Sequence, residues 1–467
     1  MLRDHEVRDS FFDGRMQRLL VLSAKPRRID VKATMIKCAD SITAYIERFA
    51  NETETSAALS HLEGVHFPYN LLPDWISRLG SLTSLRIRDG SVLGVEAASA
   101  ISACCPNFVD LTCYYCMCEY LLFQVAILLP SSMNQSSSAD EDLAAFFQTL
   151  RPNSLQSFEV ISQNGIGEQA LTALTTHATS LRSLILGSLP PAGMTALNSL
   201  ASCTSLEKLS IENDPHNLRI MTGMDGLLNE ISAWISSCKS LRDLSFNHFF
   251  NVLPVVKDVL AAPDIHLQSL SIEDFSCYLS ADGTSIGEAT WVALGTQDRL
   301  ESLTLGLQNG SIDHFLIRQG SSLANSIMSL QNLVSLNLMQ VHVELPVIRL
   351  LPAALPSLAE FSFSGDNVDD SILDPLSTLS HLKLLSINAP SSFTYFGLLE
   401  FIRKLATPKR EGMRIDILYQ HGHLSFGTEE IATLGDVMRV ELKGRIDITY
   451  TSYPDELHEE DFSEYSD

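Results

Sequence analysis

Eleven times between residues 82 and 387 the chain repeats one six-residue phrase, Leu-x-x-Leu-x-Φ, in which Φ is apolar. Its first positions are Leu82, Phe108, Leu155, Leu181, Leu206, Leu241, Leu267, Leu300, Leu333, Leu358 and Leu382. Leu-Thr-Ser-Leu-Arg-Ile at 82–87 and Leu-Glu-Lys-Leu-Ser-Ile at 206–211 are clean copies. The steps between them are 26, 47, 26, 25, 35, 26, 33, 33, 25 and 24 residues. All 33 scored positions are apolar or Cys in a chain that is only 45% apolar, so the phrase is a structural constraint rather than a by-product of composition. A unit of this size buries its apolar side only against its neighbours, which makes the array a solenoid. The 467 residues therefore read as one elongated repeat domain rather than two or three ordinary ones.

Within each unit the phrase alternates apolar and polar residues, as a short strand with one buried face does. The remainder of the unit has helical spacing. Ala97 and Ile101 show this within 94–105, Leu171 and Leu174 within 167–178, and Leu227, Leu228, Ile231, Trp234 and Ile235 further on. Strand, crossover helix and next strand, joined in the right-handed sense, give a parallel sheet on the concave side and helices on the convex side. Weaker copies extend the array: Ile29 and Val31, then Leu59 and Leu62, before it; Ile415 and Ile417, then Ile446 and Ile448, after it. Such end units shield the terminal core, and about thirteen to fifteen strands are expected. The expected organisation is a basic-biased N-terminal capping region at 1–54, a solenoid at 55–410, a C-terminal cap at 411–453 and an acidic disordered tail at 454–467. The 47-residue step contains Ser131 to Asp142, a Ser-rich stretch expected to be a disordered loop inserted in one repeat.

Charge narrows the partners. The net charge of -24 repels phosphate backbones and speaks against nucleic acid. It is unevenly spread, with nine Lys/Arg against five Asp/Glu in residues 1–37 and seven acids without a base in 454–467. Residues 1–8 alternate charges and lack the apolar core of a secretory signal. The longest apolar run, Tyr120 to Pro130, is broken by Gln124 and too short to span a bilayer. A cytoplasmic or nuclear protein without membrane contact is expected, and the sequons at Asn51, Asn134 and Asn309 would go unused.

Three residue groups invite comparison with metal sites. Cys104, Cys105, Cys113, Cys116 and Cys118 include a Cys-x-x-Cys. Packing explains them better. Cys105, Cys203 and Cys238 each precede a repeat's first position by three residues, Cys113 is a Φ residue, and Cys116 falls at a turn. Asp366, Asp369 and Asp370 lack the glycine and terminal glutamate of a calcium loop, and His421 and His423 sit in a polar turn. Ile-Gly-Glu-Gln-Ala at 166–170 and Ile-Gly-Glu-Ala-Thr at 286–290 read as helix starts, not phosphate loops. No nucleotide loop, nucleophile elbow or kinase signature appears in the sequence, so no enzyme, metal or cofactor is expected.

What remains is the polar phase of the strands. Of its 33 positions across the eleven units, seventeen are Ser, Thr or Asn, six acidic and three basic, a lining suited to another protein's surface but without a convergent acid, base and nucleophile. The candidate partner-binding residues are Arg86, Arg88, Tyr114, Glu159, Glu212, Asn247, Glu273 and Asn337, with Arg86, Arg88 and Tyr114 foremost because Arg and Tyr are common interface anchors.

The repeat resembles the leucine-rich repeat in its long, ribonuclease-inhibitor-like form, strongly over about 55–400. It departs from that pattern three places after Φ, where Asn or Cys is usual and this chain holds Gly90, Cys116, Gln163, Leu189, Asp214, Phe249, Phe275, Gln308, Val341, Asp366 and Pro390. Without an orderly Asn ladder, irregular turns are expected. Four phrases are similar to those of filamentous-fungal F-box and leucine-rich-repeat proteins: Cys-Pro-Asn-Phe-Val-Asp-Leu-Thr-Cys-Tyr-Tyr-Cys at 105–116, Arg-Pro-Asn-Ser-Leu-Gln-Ser-Phe-Glu-Val at 151–160, Ser-Cys-Lys-Ser-Leu-Arg-Asp-Leu at 237–244 and Leu-Leu-Glu-Phe-Ile-Arg-Lys-Leu at 398–405. That resemblance implies a substrate-recognition horseshoe whose F-box docks on the Skp linker of an SCF ubiquitin ligase. A Leu-Pro-x-Glu-like F-box helix is not visible before the first repeats, and residues 1–25 resemble the stretch just after the box; SCF components are expected as partners only if an F-box exists upstream. Two alternatives share the repeat: a ribonuclease-inhibitor-like regulator gripping a basic partner, and a Ran GTPase-activating-protein-like regulator of a small GTPase.

Overall fold

A computed structural model describes residues 28–31, 61–64, 72–90, 93–115, 136–162, 164–214, 224–249, 251–275, 286–307, 316–365, 367–406, 410–420 and 427–451. The chain divides into two compact units, Met1–Leu241 and Arg242–Asp467. Both are built from the same repeat.

The first unit carries seven described strands: β1 (Arg28–Val31), β2 (His61–Gly64), β3 (Ser84–Asp89), β4 (Asp110–Tyr115), β5 (Ser157–Val160), β6 (Ser183–Leu189) and β7 (Lys208–Asn213). They pair in sequence order and all parallel. The second unit carries β8 (Asp243–Asn247), β9 (Ser269–Phe275), β10 (Ser302–Leu307), β11 (Leu316–Ile317), β12 (Ser335–Val343), β13 (Glu360–Gly365), β14 (Leu384–Ala389), β15 (Arg414–Gln420) and β16 (Arg445–Thr451). These too are parallel and consecutive, except that the two-residue β11 adds to β12 beside the main path. The weak copies at Ile29, Leu62, Ile415 and Ile446 are thus strands in register with their neighbours. The fold is a leucine-rich-repeat solenoid of parallel strands backed by helices.

Packing follows the phrase. Every one of its 33 apolar or Cys positions is at most 1% exposed, whereas the described polar-phase residues between them are mostly half-buried. The helices complete the core: Ala97, Ala98 and Ile101 are buried on Val95–Cys104, Ala170, Leu171 and Leu174 on Glu168–Leu174, and Leu228, Ile231, Trp234 and Ile235 on Asp225–Ser237. At about 25 cal/mol per Å² of apolar surface, these buried leucines dominate the stabilisation of each repeat.

One detail differs from the sequence reading and two extend it. Residues 136–142 are not a disordered insertion but open the helix Ser136–Thr149, while 131–135 lie outside the described residues. Serine composition is overridden by two tertiary gains: Leu143, Phe146, Phe147 and Leu150 are buried, and Asp140 caps the next repeat's helix. Its carboxylate accepts from the backbone N–H groups of Gly167 (2.7 Å), Gln169 (3.1 Å) and Ala170 (2.9 Å). A Cβ at Gly167 would stand 2.7 Å from that carboxylate, which explains the glycine at this helix start. The turn three places after Φ is solved sterically, since Leu189, Phe249 and Val341 are buried plugs. Ser188 and His248, just before two of them, adopt positive φ (44° and 53°) to aim the plug inward. Asp369 and Asp370 are likewise structural: Asp369 accepts from Ser371 N–H at 2.9 Å, and Asp370 from Thr394 N–H at 2.9 Å and its hydroxyl at 2.6 Å.

Candidate protein-binding face

In the first unit, parallel register turns sequence positions into rows. Ser84, Asp110, Ser157, Ser183 and Lys208 form one row across β3 to β7, and Arg86, Thr112, Glu159, Ile185 and Ser210 form the next. Arg88 and Tyr114 stand at matching places beyond it, between the pairs Ile87↔Cys113 and Asp89↔Tyr115. The side chain of Arg88 lies outside the described residues. Arg86, Arg88, Tyr114 and Glu159 are therefore gathered on three adjacent strands, with Glu212 two strands further along the same unit.

The rows are partly self-bonded. Ser84 Oγ donates to Asp110 Oδ2 at 2.9 Å, and Thr112 Oγ1 to Glu159 Oε2 at 3.3 Å. These contacts hold the two carboxylates against the sheet, Asp110 on the strand next to that of Arg86 and Glu159 two strands away in the Arg86 row, so the face carries both signs within about two strand spacings, roughly 10 Å. Ile161, 40% exposed in the polar phase of the strand, follows β5, and its N–H donates to Cys113 O at 3.0 Å beside Tyr114. Tyr114, Ile161 and Ile185 thus supply an apolar centre with charged groups around it, the composition of an interface core and rim. Sequence reading passed over Ile161 and Ile185. The available signal was an apolar residue in the polar phase of the alternation.

Asn247, Glu273 and Asn337 belong to the second unit and do not join that group. Asn247 and Glu273 are register partners on β8 and β9. Ser271 Oγ donates to Glu273 Oε1 at 3.1 Å. Asn337 Oδ1 accepts from Met339 N–H at 3.1 Å and so serves the irregular backbone of β12.

The cysteines and the buried histidine belong to the core. Cys105, Cys113, Cys203 and Cys238 are fully buried and Cys104 is half-buried, while Cys116 and Cys118 lie outside the described residues, as do Asp366, His421, His423, the three sequons and the acidic tail. Cys105 Sγ donates to Leu79 O at 3.4 Å and Cys238 Sγ to Cys203 O at 3.5 Å. Burial pushes the Cys105 and Cys238 thiols up to about 12 and Cys203 to about 11, which keeps them protonated and poor metal ligands. His177, with no exposed surface, is held below the usual imidazole range by burial, against a smaller opposing effect of its hydrogen bond to Phe147 O. Among the described residues no three His, Cys, Asp or Glu side chains converge on a metal-sized site, and no helix is long and apolar enough to cross a membrane.

No protein-family model matches the chain, and no curated protein does. Solved structures do align with it. An internalin (inlF) from Listeria monocytogenes aligns with a TM-score of 0.39 and 15% identity over 79% of this chain and 83% of its own. A chain in the crystal structure of the Rad7 and Elc1 complex in yeast aligns at 0.42 and 10% over 97% and 95%. One in the TLR13–ssRNA13 complex aligns at 0.32 and 14% over 80% of this chain and 55% of its own.

Proposed function

We propose that this chain is a non-enzymatic scaffold that holds another protein against the polar face of its repeat strands, as a substrate-recognition module related to the F-box proteins of SCF ubiquitin ligases. The observation that supports the reading is the group on β3 to β5: Arg86, Arg88 and Tyr114 beside Ile161 and Glu159, an apolar centre with charges of both signs around it. Arg and Tyr at such a centre are the residue types that dominate interface energetics. Thr112 and Ser84 hold the neighbouring carboxylates in place, so part of the ordering cost of binding is already met in the free protein. The link to the ligase rests on the resemblance of the four repeat phrases to F-box proteins.

The net charge of -24 favours one other reading, a regulator that grips a basic partner. Affinity purification separates these: recovery of a Skp-type adaptor with a cullin supports the first, a basic protein the second, and a small GTPase neither. For the recovered partner, replacing Arg86, Arg88 and Tyr114 together by Ala should weaken binding by about 2 kcal/mol or more, roughly thirtyfold, with the melting temperature of the free protein unchanged. Undiminished binding would move the interface off this face.

A further inference from the structure

Ser371, in the second unit, occupies a setting that the binding reading does not use. It is exposed and sits in the short 3-10 turn Asp370–Ile372. Arg349, on the helix Leu345–Ala354, donates to Ser371 Oγ through Nε at 3.0 Å and also through Nη2. The Ser371 hydroxyl in turn donates to Asp369 Oδ1, which also lies 3.8 Å from the Arg349 guanidinium. The adjacent Asp370 ties this turn to the next repeat through Thr394. A forked guanidinium converging on one exposed hydroxyl is a ready donor pair for a tetrahedral oxyanion. Asp369 and Asp370 before the serine and Asp374 three residues after it make the segment acidic on both sides.

We propose that Ser371 is a phosphorylation site for a serine kinase with a basic substrate groove, and that the phosphate moves the turn's anchorage from Thr394 to Arg349. In the transfer, Ser371 Oγ attacks the γ-phosphorus of a nucleoside triphosphate. The Oγ–P bond forms as the bond to the leaving nucleoside diphosphate breaks, and the hydroxyl proton passes to the kinase's base. The product carries a charge of about -1.5 to -2 and oxygens that only accept. Its contact with Arg349 is thereby strengthened. Its contact with Asp369 changes from a hydrogen bond to a repulsion, which strains the neighbouring Asp370 link to Thr394. Presenting Ser371 to a kinase groove requires this turn to open, which lifts the buried Ile372 from the core for the time of the transfer.

The test treats the full chain with an acidophilic serine kinase and ATP, maps phosphate by peptide mass spectrometry and tracks amide exchange. Phosphate is expected at Ser371 and is lost from that peptide in Ser371→Ala. The Thr394 amide should exchange about tenfold faster after treatment of the native chain, as loss of a hydrogen bond to a charged group implies, with no change in treated Ser371→Ala. No phosphate at Ser371 in the folded chain would overturn the site. Phosphate there with Thr394 as protected as before would overturn the transfer of anchorage.

Discussion

His177 in the first unit and Gln297 in the second perform one task with different chemistry. Each is buried at the end of a repeat's helical segment, and each satisfies the backbone of two neighbouring repeats. His177 Nδ1 accepts from Leu155 N–H at 3.4 Å while Nε2 meets Phe147 O at 3.3 Å. Gln297 Oε1 accepts from Leu267 N–H at 2.9 Å while Nε2 donates to Leu260 O at 3.0 Å. In both cases the amide belongs to the first position of a repeat phrase, and the carbonyl to the helix before it. In most other repeats the first-position N–H bonds the backbone carbonyl three residues before it, as Leu82 does to Leu79 O and Leu333 to Leu330 O; at Leu155 and Leu267 a buried side chain supplies the acceptor instead, and either residue type serves. An amide supplies acceptor and donor at any pH. An imidazole supplies both only when neutral, with the proton on Nε2.

The largest effect should come from deleting either bridge. His177→Ala and Gln297→Ala each orphan a buried N–H and a buried carbonyl, at about 1–3 kcal/mol for each group. Comparable losses in denaturant unfolding are expected from the two variants, and a negligible loss from either would show that water or rearrangement replaces it. The next effect is the pH difference between the units. Because burial lowers the His177 pKa in the folded state, the unfolded chain takes up the proton first. The stability that depends on neutral His177 is complete above the unfolded value of about 6.5 and is lost as pH falls from there towards the lowered folded value. The slope is at most about 1.4 kcal/mol per pH unit. His177→Gln, which copies the second unit's solution, should fold comparably at pH 7.5 and lose less stability than the native chain between pH 6.5 and 5. Parallel curves for the two proteins would break the comparison.

The smallest effect concerns thiols at the same helix ends. Cys105, Cys203 and Cys238 stand three residues before a repeat phrase, where Gln297, Leu330, Leu355 and Leu379 stand in the second unit. Buried and with raised pKa, they should resist alkylation at pH 8 in the native protein, while half-buried Cys104 reacts before all three; peptide mapping reads the order. Early modification of Cys203 or Cys238 would contradict their place in the core.

The strand half of each repeat was legible because a single rule, alternation, fixes burial and register together: Leu85, Leu184, Leu270 and Leu336 all lie in the core as the phrase requires. The polar bridges were not, since His177 and Gln297 share a geometry but no residue type or spacing. Asp140 escaped notice for the same reason. Its capping role depends on Gly167, 27 residues later, and nothing local in a Ser-rich stretch announces it. At the candidate site, the alternation put Arg86, Tyr114 and Glu159 in the polar phase of neighbouring strands. It could not show that Asn337 is occupied by its own backbone, nor that Ile161 lies beside Tyr114.

The central claim is that the polar strand face of the first unit, and not its helices, receives a protein. A photo-crosslinking residue at Ile161, 40% exposed on the strand side, can be compared with one at Val95, 47% exposed on the helix Val95–Cys104. The two positions have similar access to solvent, so exposure alone does not favour either. The account predicts a discrete crosslinked partner from position 161 that disappears when Arg86, Arg88 and Tyr114 are replaced by Ala, and none from position 95. The partner crosslinking from position 95 while position 161 stays silent would contradict it.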